Sequence, residues 1–137
     1  MENKQIQLKD ILISYRKSTQ CKELAALLKN KSVRKTAVGG LAQSAVAVCF
    51  AAASAKVSRP MLFVMRDADE AGYLYQDLHT LLDDSVKYFP SSYKRAVKFG
   101  QRDAASEILR TEVLASLGEN GDTTSSDLQT LSPSIIV

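Results

Sequence analysis

A pair of glycines, Gly39 and Gly40, lies where a phosphate-binding loop would be expected, between a predicted strand over 32–38 and an apolar helix. A working loop has the pattern G-x-x-x-x-G-K-[ST], whose backbone N–H groups and lysine hold phosphates and whose hydroxyl holds magnesium. Gln43 and Ala45 occupy glycine positions of the second half of this pattern, Val46 occupies the lysine position and Ala47 the hydroxyl position. Because the cation and the magnesium ligand are missing, we expect a structural turn that binds no nucleotide.

Carboxylates and one histidine are the other candidates for chemistry. Asp67 and Asp69 follow a predicted strand, where a catalytic carboxylate or magnesium ligand could lie. We favour helix capping for Asp67, with Glu70 completing a capping box. His79 is the only histidine and has no cysteine at ligand spacing, so it is predicted to be a surface residue near a helix terminus. Ser44 has no histidine near it in sequence, and we predict neither a catalytic triad nor a metal site.

Cations alternate with aromatic residues over 88–102, a pattern that suits phosphate contact and base stacking. The candidate nucleic-acid contacts are Tyr93, Lys94, Arg95, Lys98, Phe99 and Arg102. We favour the alternative of a solvated loop whose aromatic side chains pack on the sheet. A second basic cluster is predicted to be solvated, and it comprises Lys29, Lys31, Arg34 and Lys35.

Composition narrows the class of protein. The 137 residues suffice for one domain with a buried core, and a net charge of +3 permits nucleic-acid contact without requiring it. Cys21 and Cys49 are far apart in sequence, so we expect a reducing compartment rather than a disulfide framework. The polar amino terminus is unlike a signal peptide, and the apolar run 45–53 is too short to cross a bilayer. We therefore predict a cytoplasmic protein without a membrane contact.

Helical spacing of apolar residues predicts five helices. The first is expected over 6–17, the second begins at a cap at Thr19, and the third covers 41–56. The fourth runs from Asp67 to Leu82, and the fifth covers 104–117 and is ended by Gly118. The first two are amphipathic. The third is apolar all round, which is typical of a buried helix.

Strands are predicted to alternate with these helices. They are expected over 32–38, 61–65, 86–89 and 135–137, and the continuous apolar run 61–65 suits a central strand covered on both faces. This order predicts an α/β fold, with a parallel sheet flanked by helices and right-handed crossovers. We divide the chain into an amino-terminal helical extension, 1–31, and an α/β subdomain, 32–137.

Two further expectations concern the carboxyl-terminal part of the chain. The segment 119–126 is acidic and rich in Gly, Ser and Thr, so a mobile surface loop is predicted. The chain ends within an apolar strand, 135–137, and a domain rarely stops there. We therefore expect the sequence to be a fragment of a longer protein.

Several of these features occur in the same order in one known family. They are Gly39-Gly40-Leu41 with the small-residue helix, Arg59-Pro60 before an apolar strand, 69–78, 86–91 and 105–117. Together they resemble the start of the bacterial transcription-repair coupling factor (Mfd), over about 24–137. The resemblance implies domain 1a of its UvrB-like region, with a degenerate phosphate loop. Because UvrB keeps a working loop at this turn, the missing groups favour the coupling factor.

The resemblance implies a non-catalytic scaffold subdomain that helps to couple stalled RNA polymerase to nucleotide excision repair. Its implied partners are neighbouring subdomains of the same polypeptide and, for the whole protein, UvrA, RNA polymerase and DNA. The ATP- and magnesium-dependent motor of the family lies downstream, so no cofactor is expected here. Two alternatives remain open from the residues: a nucleic-acid-binding module using 88–102, and a nucleotide-binding α/β protein with an atypical phosphate loop.

Overall fold

The computed structural model describes residues 7–57, 59–91, 104–119 and 135–137. Within these ranges the chain is mostly helical, with one small parallel sheet. The helices are α1 (Leu8–Lys17), α2 (Thr19–Lys29), α3 (Ala45–Ser54), α4 (Ala68–Leu82) and α5 (Ala104–Glu119). The strands are β1 (Met61–Leu62), β2 (Val86–Lys87) and β3 (Ile135–Ile136), and a 3₁₀ turn (Asp83–Ser85) joins α4 to β2. The predicted α/β class with a parallel sheet is confirmed at this level.

The sheet has the order β1-β3-β2, and both pairs are parallel. Ile135 lies opposite Met61 on one side and Val86 on the other. The Phe63 N–H donates to the Ile136 carbonyl at 2.8 Å, and the Phe89 N–H donates to the Val137 carbonyl at 2.7 Å. These bonds continue the ladders beyond the short strands. The predicted carboxyl-terminal strand is confirmed, and the structure places it at the centre of the described sheet.

β1 lies at an edge of the described sheet, so the prediction of a central strand covered on both faces is wrong. Side chains alternate along this segment: Phe63 is half-buried, whereas Leu62 is 68% and Val64 84% exposed. A continuous apolar run does not specify how many neighbours a strand has. The central position belongs to β3, whose Ile135 and Ile136 are both buried.

The strand predicted over 32–38 is also wrong. Residues 33–39 have no regular secondary structure, and all except Val33 are exposed. The middle of the segment, Arg34 to Thr36, is polar, so only the ends offer apolar side chains to a core. A strand needs a neighbour for its N–H and C=O groups, and no described strand pairs with this segment.

α3 is the buried helix of the fold, as its composition predicts. It packs against α1, α2 and α4, and six of its ten residues are buried. It begins at Ala45 rather than at the predicted residue 41, because Gly40 (φ 79°) and Gln43 (φ 50°) hold the preceding turn in left-handed conformations that no helix contains. Its one buried polar side chain, Ser54, donates to the Ala51 carbonyl at 2.9 Å.

The two amino-terminal helices pack on α3 and contribute Leu12, Cys21 and Leu24 to its core cluster. The predicted cap Thr19 is wrong, because Ser18 caps α2 by accepting a hydrogen bond from the Cys21 N–H at 3.2 Å. Cys21 and Cys49 are buried free thiols. The packing of α2 on α3 places the Cys21 Sγ 3.8 Å from the Cys49 carbonyl.

α5 confirms the predicted helix but not its predicted end, since the helix continues through Gly118 to Glu119. Of its apolar side chains, Val113 is buried, whereas Ile108 is 67% exposed. Leu114 on the same helix is 60% exposed. Of the described helices, none combines the length and apolar character that a membrane span requires.

Candidate functional site

The turn before α3 is built differently from a phosphate loop. Residues 33–39 form no strand, so the strand–loop–helix arrangement that aims phosphates at a helix terminus is not formed. Gly40 has a φ of 79°, which explains a glycine there, whereas an added Cβ at either Gly39 or Gly40 would meet no atom within 4 Å. The Ser44 side chain makes no capping hydrogen bond to α3.

The residues at the lysine and hydroxyl positions of the pattern serve the hydrophobic core instead. Ala47 is fully buried, and the half-buried Val46 packs against the same cluster. Ala45, where the pattern has a glycine, is the first residue of the helix. Val46 and Ala47 therefore supply neither a cation nor a hydroxyl to a phosphate. What this turn itself offers an anion is the set of N–H groups at the amino terminus of α3.

Asp67 has the predicted role of helix cap. Its carboxylate accepts a hydrogen bond from the Glu70 N–H at 2.9 Å, and this bond is the main reason why the pKa of Asp67 is lowered, with Arg66 assisting. The second half of the predicted capping box is not formed, because the Glu70 carboxylate accepts from Arg66 Nη2 at 2.7 Å. Asp69 is exposed in the first turn of α4. The described residues contain no cluster of three or more potential metal ligands.

His79 lies beside a cavity of about 200 Å³ between α4, β2 and α5. Its Nε2 is 3.9 Å from Asp84 Oδ1, which is too long for a hydrogen bond. Lys87 Nζ is 3.0 Å from Glu112 Oε1 across the same cavity. The helical spacing of Tyr75 and His79 is the sequence signal for this arrangement, which we did not predict.

Charged, aromatic and aliphatic side chains line this polar cavity. No serine, threonine or cysteine is among its lining residues, and the Asp84 carboxylate beside the histidine is fully exposed to solvent. The Tyr75 ring packs between the rings of His79 and Tyr88, at centroid distances of 5.6 and 5.3 Å. Its aromatic side chains therefore join α4 to the segment after β2.

A second cavity, of about 340 Å³, lies between α2, the segment 33–36 and the start of β1. We call it the basic groove. Its apolar lining comprises Leu24, Leu27, Leu28, Val33, Val57 and Met61, and its cations are Arg34, Lys35 and Arg59. Half of the second basic cluster of the sequence thus lies at a groove. Arg59, which sequence analysis missed as a member, donates from Nη1 to the Leu28 carbonyl at 3.1 Å in the last turn of α2.

The remaining candidates are a loop and an exposed apolar strand. The proposed nucleic-acid contacts, Tyr93, Lys94, Arg95, Lys98, Phe99 and Arg102, lie outside the described residues, as does 120–126 of the acidic segment. The exposed side chains of Leu62 and Val64 lie on the same face of the β1 segment, and we call them the β1 apolar edge. The sequence predicts a covered strand for both residues, whereas the structure exposes them.

Comparison of the chain with models of known protein families, with curated proteins and with solved structures found no match. A function must therefore be argued from the chemistry of the described surfaces. The glycine turn has no lysine, no serine, threonine or cysteine is among the residues that line the polar cavity, and the basic groove and the β1 apolar edge offer cations and exposed apolar side chains to a partner.

Proposed function

We propose that this chain is a non-catalytic scaffold subdomain of a transcription-repair coupling factor. In this proposal it helps to couple stalled RNA polymerase to nucleotide excision repair through contacts with neighbouring subdomains of the same polypeptide and with the UvrA machinery. The resemblance of the sequence to domain 1a supplies the family. The structural observation that carries the scaffold role is the β1 apolar edge.

The β1 apolar edge is suited to contact with another folded unit. Leu62 lies in β1, at the edge of the described sheet, and Val64 lies two residues beyond it; both side chains are exposed, and a sheet edge also invites association. Covering two large aliphatic side chains is favourable by the hydrophobic effect. Since the family places a second UvrB-like subdomain directly after domain 1a, that subdomain is the proposed partner of this edge.

The chemistry of the glycine turn supports a role without nucleotide. Val46 and Ala47 belong to the core, and the turn has no lysine to hold the outer phosphates. An isolated helix amino terminus attracts an anion with a free energy of roughly 0.3–1 kcal/mol at an exposed site, far below what micromolar affinity requires. The scaffold proposal therefore predicts no tight binding of ATP.

Isothermal titration with ATP and magnesium tests this part of the proposal. We expect no saturable heat from this chain at ATP concentrations that saturate UvrB. UvrB, with its working phosphate loop, is the positive control. Saturable binding at micromolar ATP would overturn the scaffold assignment. The partner is tested by mixing the chain with the second UvrB-like subdomain of a coupling factor, where we expect a 1:1 complex in size-exclusion chromatography with light scattering.

The same preparation distinguishes the nucleic-acid alternative. Salt-dependent binding of single-stranded or duplex DNA that disappears when Lys94, Arg95 and Lys98 are replaced by alanine would favour that function. The scaffold proposal predicts that the triple variant and the parent chain bind the second subdomain equally well.

A further inference from the structure

We propose that the basic groove is a docking site for an acidic segment of another protein, in which carboxylates flank a leucine-like side chain. The groove is separate from the β1 apolar edge and does not depend on the family assignment. Its cations would hold the carboxylates of the segment, and its apolar lining would receive the aliphatic side chain. Charge, lining and geometry each contribute to this inference.

The charge around the groove is unbalanced. Arg34, Lys35 and Arg59 are among its lining residues, and no aspartate or glutamate is. The stretch 24–66, which supplies the whole lining, contains seven lysines and arginines and no acid, although the net charge of the chain is only +3. Arg66 pairs with the acids that begin α4, and none of the other six cations forms an ion pair with any described residue. An uncompensated patch of one sign attracts a partner of the opposite sign.

Arg59 is a cation of the groove whose side chain the fold holds in place by a hydrogen bond. Its bond to the Leu28 carbonyl places the guanidinium at the carboxyl terminus of α2, where a positive charge is favourable. That bond uses one of the five N–H donors of the side chain, which is exposed at the groove. A guanidinium held in this way can still form a bidentate pair with a carboxylate.

The lining favours a protein segment over a nucleic acid. Six aliphatic or methionine side chains line the groove, and no phenylalanine or tyrosine is among its lining residues. Single strands are bound through aromatic platforms on which bases stack, and this groove offers none. Leu27, on the wall formed by α2, is 38% exposed and so is available to an aliphatic partner. A cavity of about 340 Å³ has room for such a side chain.

The test uses a fluorescein-labelled peptide in which leucines recur at i and i+4 and the residues between them are Asp and Glu. Two control peptides change one property each: leucine to serine retains the charge, and Asp and Glu to their amides retain the leucines. We expect the acidic leucine peptide to bind in fluorescence anisotropy, and each control peptide to bind at least tenfold more weakly. A single-stranded oligonucleotide of equal charge is expected to bind more weakly than the peptide.

Chain variants locate the binding. Arg34→Gln with Lys35→Gln should weaken the peptide at least tenfold, and Leu27→Asn should weaken it severalfold, with circular dichroism checking the fold. The matched control is Lys9→Gln with Lys17→Gln on α1, which removes the same charge from exposed positions away from the groove.

Four results would overturn the proposal. They are no binding at low salt, equal effects of the two charge-removing pairs, equal binding of the serine peptide, and tighter binding of the oligonucleotide.

Discussion

Replacing Leu62 and Val64 by threonine tests whether the β1 apolar edge is a contact surface. Threonine favours a strand and keeps one methyl group, so the replacement removes apolar surface without disfavouring the local conformation. Both side chains are largely exposed, at 68% and 84%, and therefore contribute little to the core of the chain itself. We expect the double variant to fold normally and to lose affinity for the second UvrB-like subdomain.

The size of the loss follows from these exposures. Complete burial of a leucine or valine side chain is worth about 1.5–3 kcal/mol, so covering the exposed parts of both would contribute roughly 2–5 kcal/mol. Because threonine retains a methyl group and adds a hydroxyl that prefers water, we expect a net loss of about 2–3 kcal/mol. The dissociation constant should then rise roughly 30- to 150-fold.

Isothermal titration of the purified subdomains measures this change, and urea unfolding of each variant checks the fold. The matched control replaces Ile108 and Leu114 on α5 by glutamine, because these side chains are comparably exposed, at 67% and 60%, on a different element. The reasoning is refuted if the β1 variant binds as tightly as the parent chain, or if the α5 variant loses as much affinity.

Three further outcomes concern the core, a cap and a thiol. Leu78→Ala should lower the free energy of unfolding by about 3–4 kcal/mol, because Leu78 is fully buried; a urea midpoint close to that of the parent chain would contradict this. Ser18→Ala should lower the free energy of unfolding by about 1 kcal/mol and Thr19→Ala by less than about 0.5 kcal/mol, because Ser18 is the cap of α2. Equal losses in thermal unfolding would count against this assignment. Burial raises the pKa of the Cys49 thiol, so iodoacetamide should label it slowly at pH 7.5 until the chain unfolds. Because the folded pKa exceeds the unfolded one, its contribution to stability is complete below about pH 8.5 and declines as pH rises beyond it. Urea titrations should show this decline, and Cys49→Ala should make it shallower.

Features that depend on neighbouring residues were largely predictable. The spacing of apolar residues identified the helices, and the carboxylate of Asp67 identified the start of α4, because a helix cap acts within one turn. The boundary errors have local physical causes. Ser18 competes with Thr19 for the same cap, and the left-handed conformation of Gln43 delays the start of α3.

Features that depend on which strands pair with one another could not be predicted from short-range patterns. The run 61–65 and the strand 135–137 are both apolar, and only the pairing of three strands places β3 at the centre and β1 at an edge. The segment 32–38 has apolar ends but obtains no partner, so it forms no strand. Strand pairing joins residues far apart in sequence, and no local pattern specifies which neighbour is chosen.

The sequence by itself determined the helical segments, the burial of α3 and the absence of a lysine at the turn, because each follows from residue type and short-range spacing. The tertiary structure alone decided that Leu62 and Val64 are exposed and that Arg59 joins Arg34 and Lys35 at the basic groove. The physical reason is that exposure and charge proximity depend on how separate elements pack. The candidate surfaces of this protein are products of that packing.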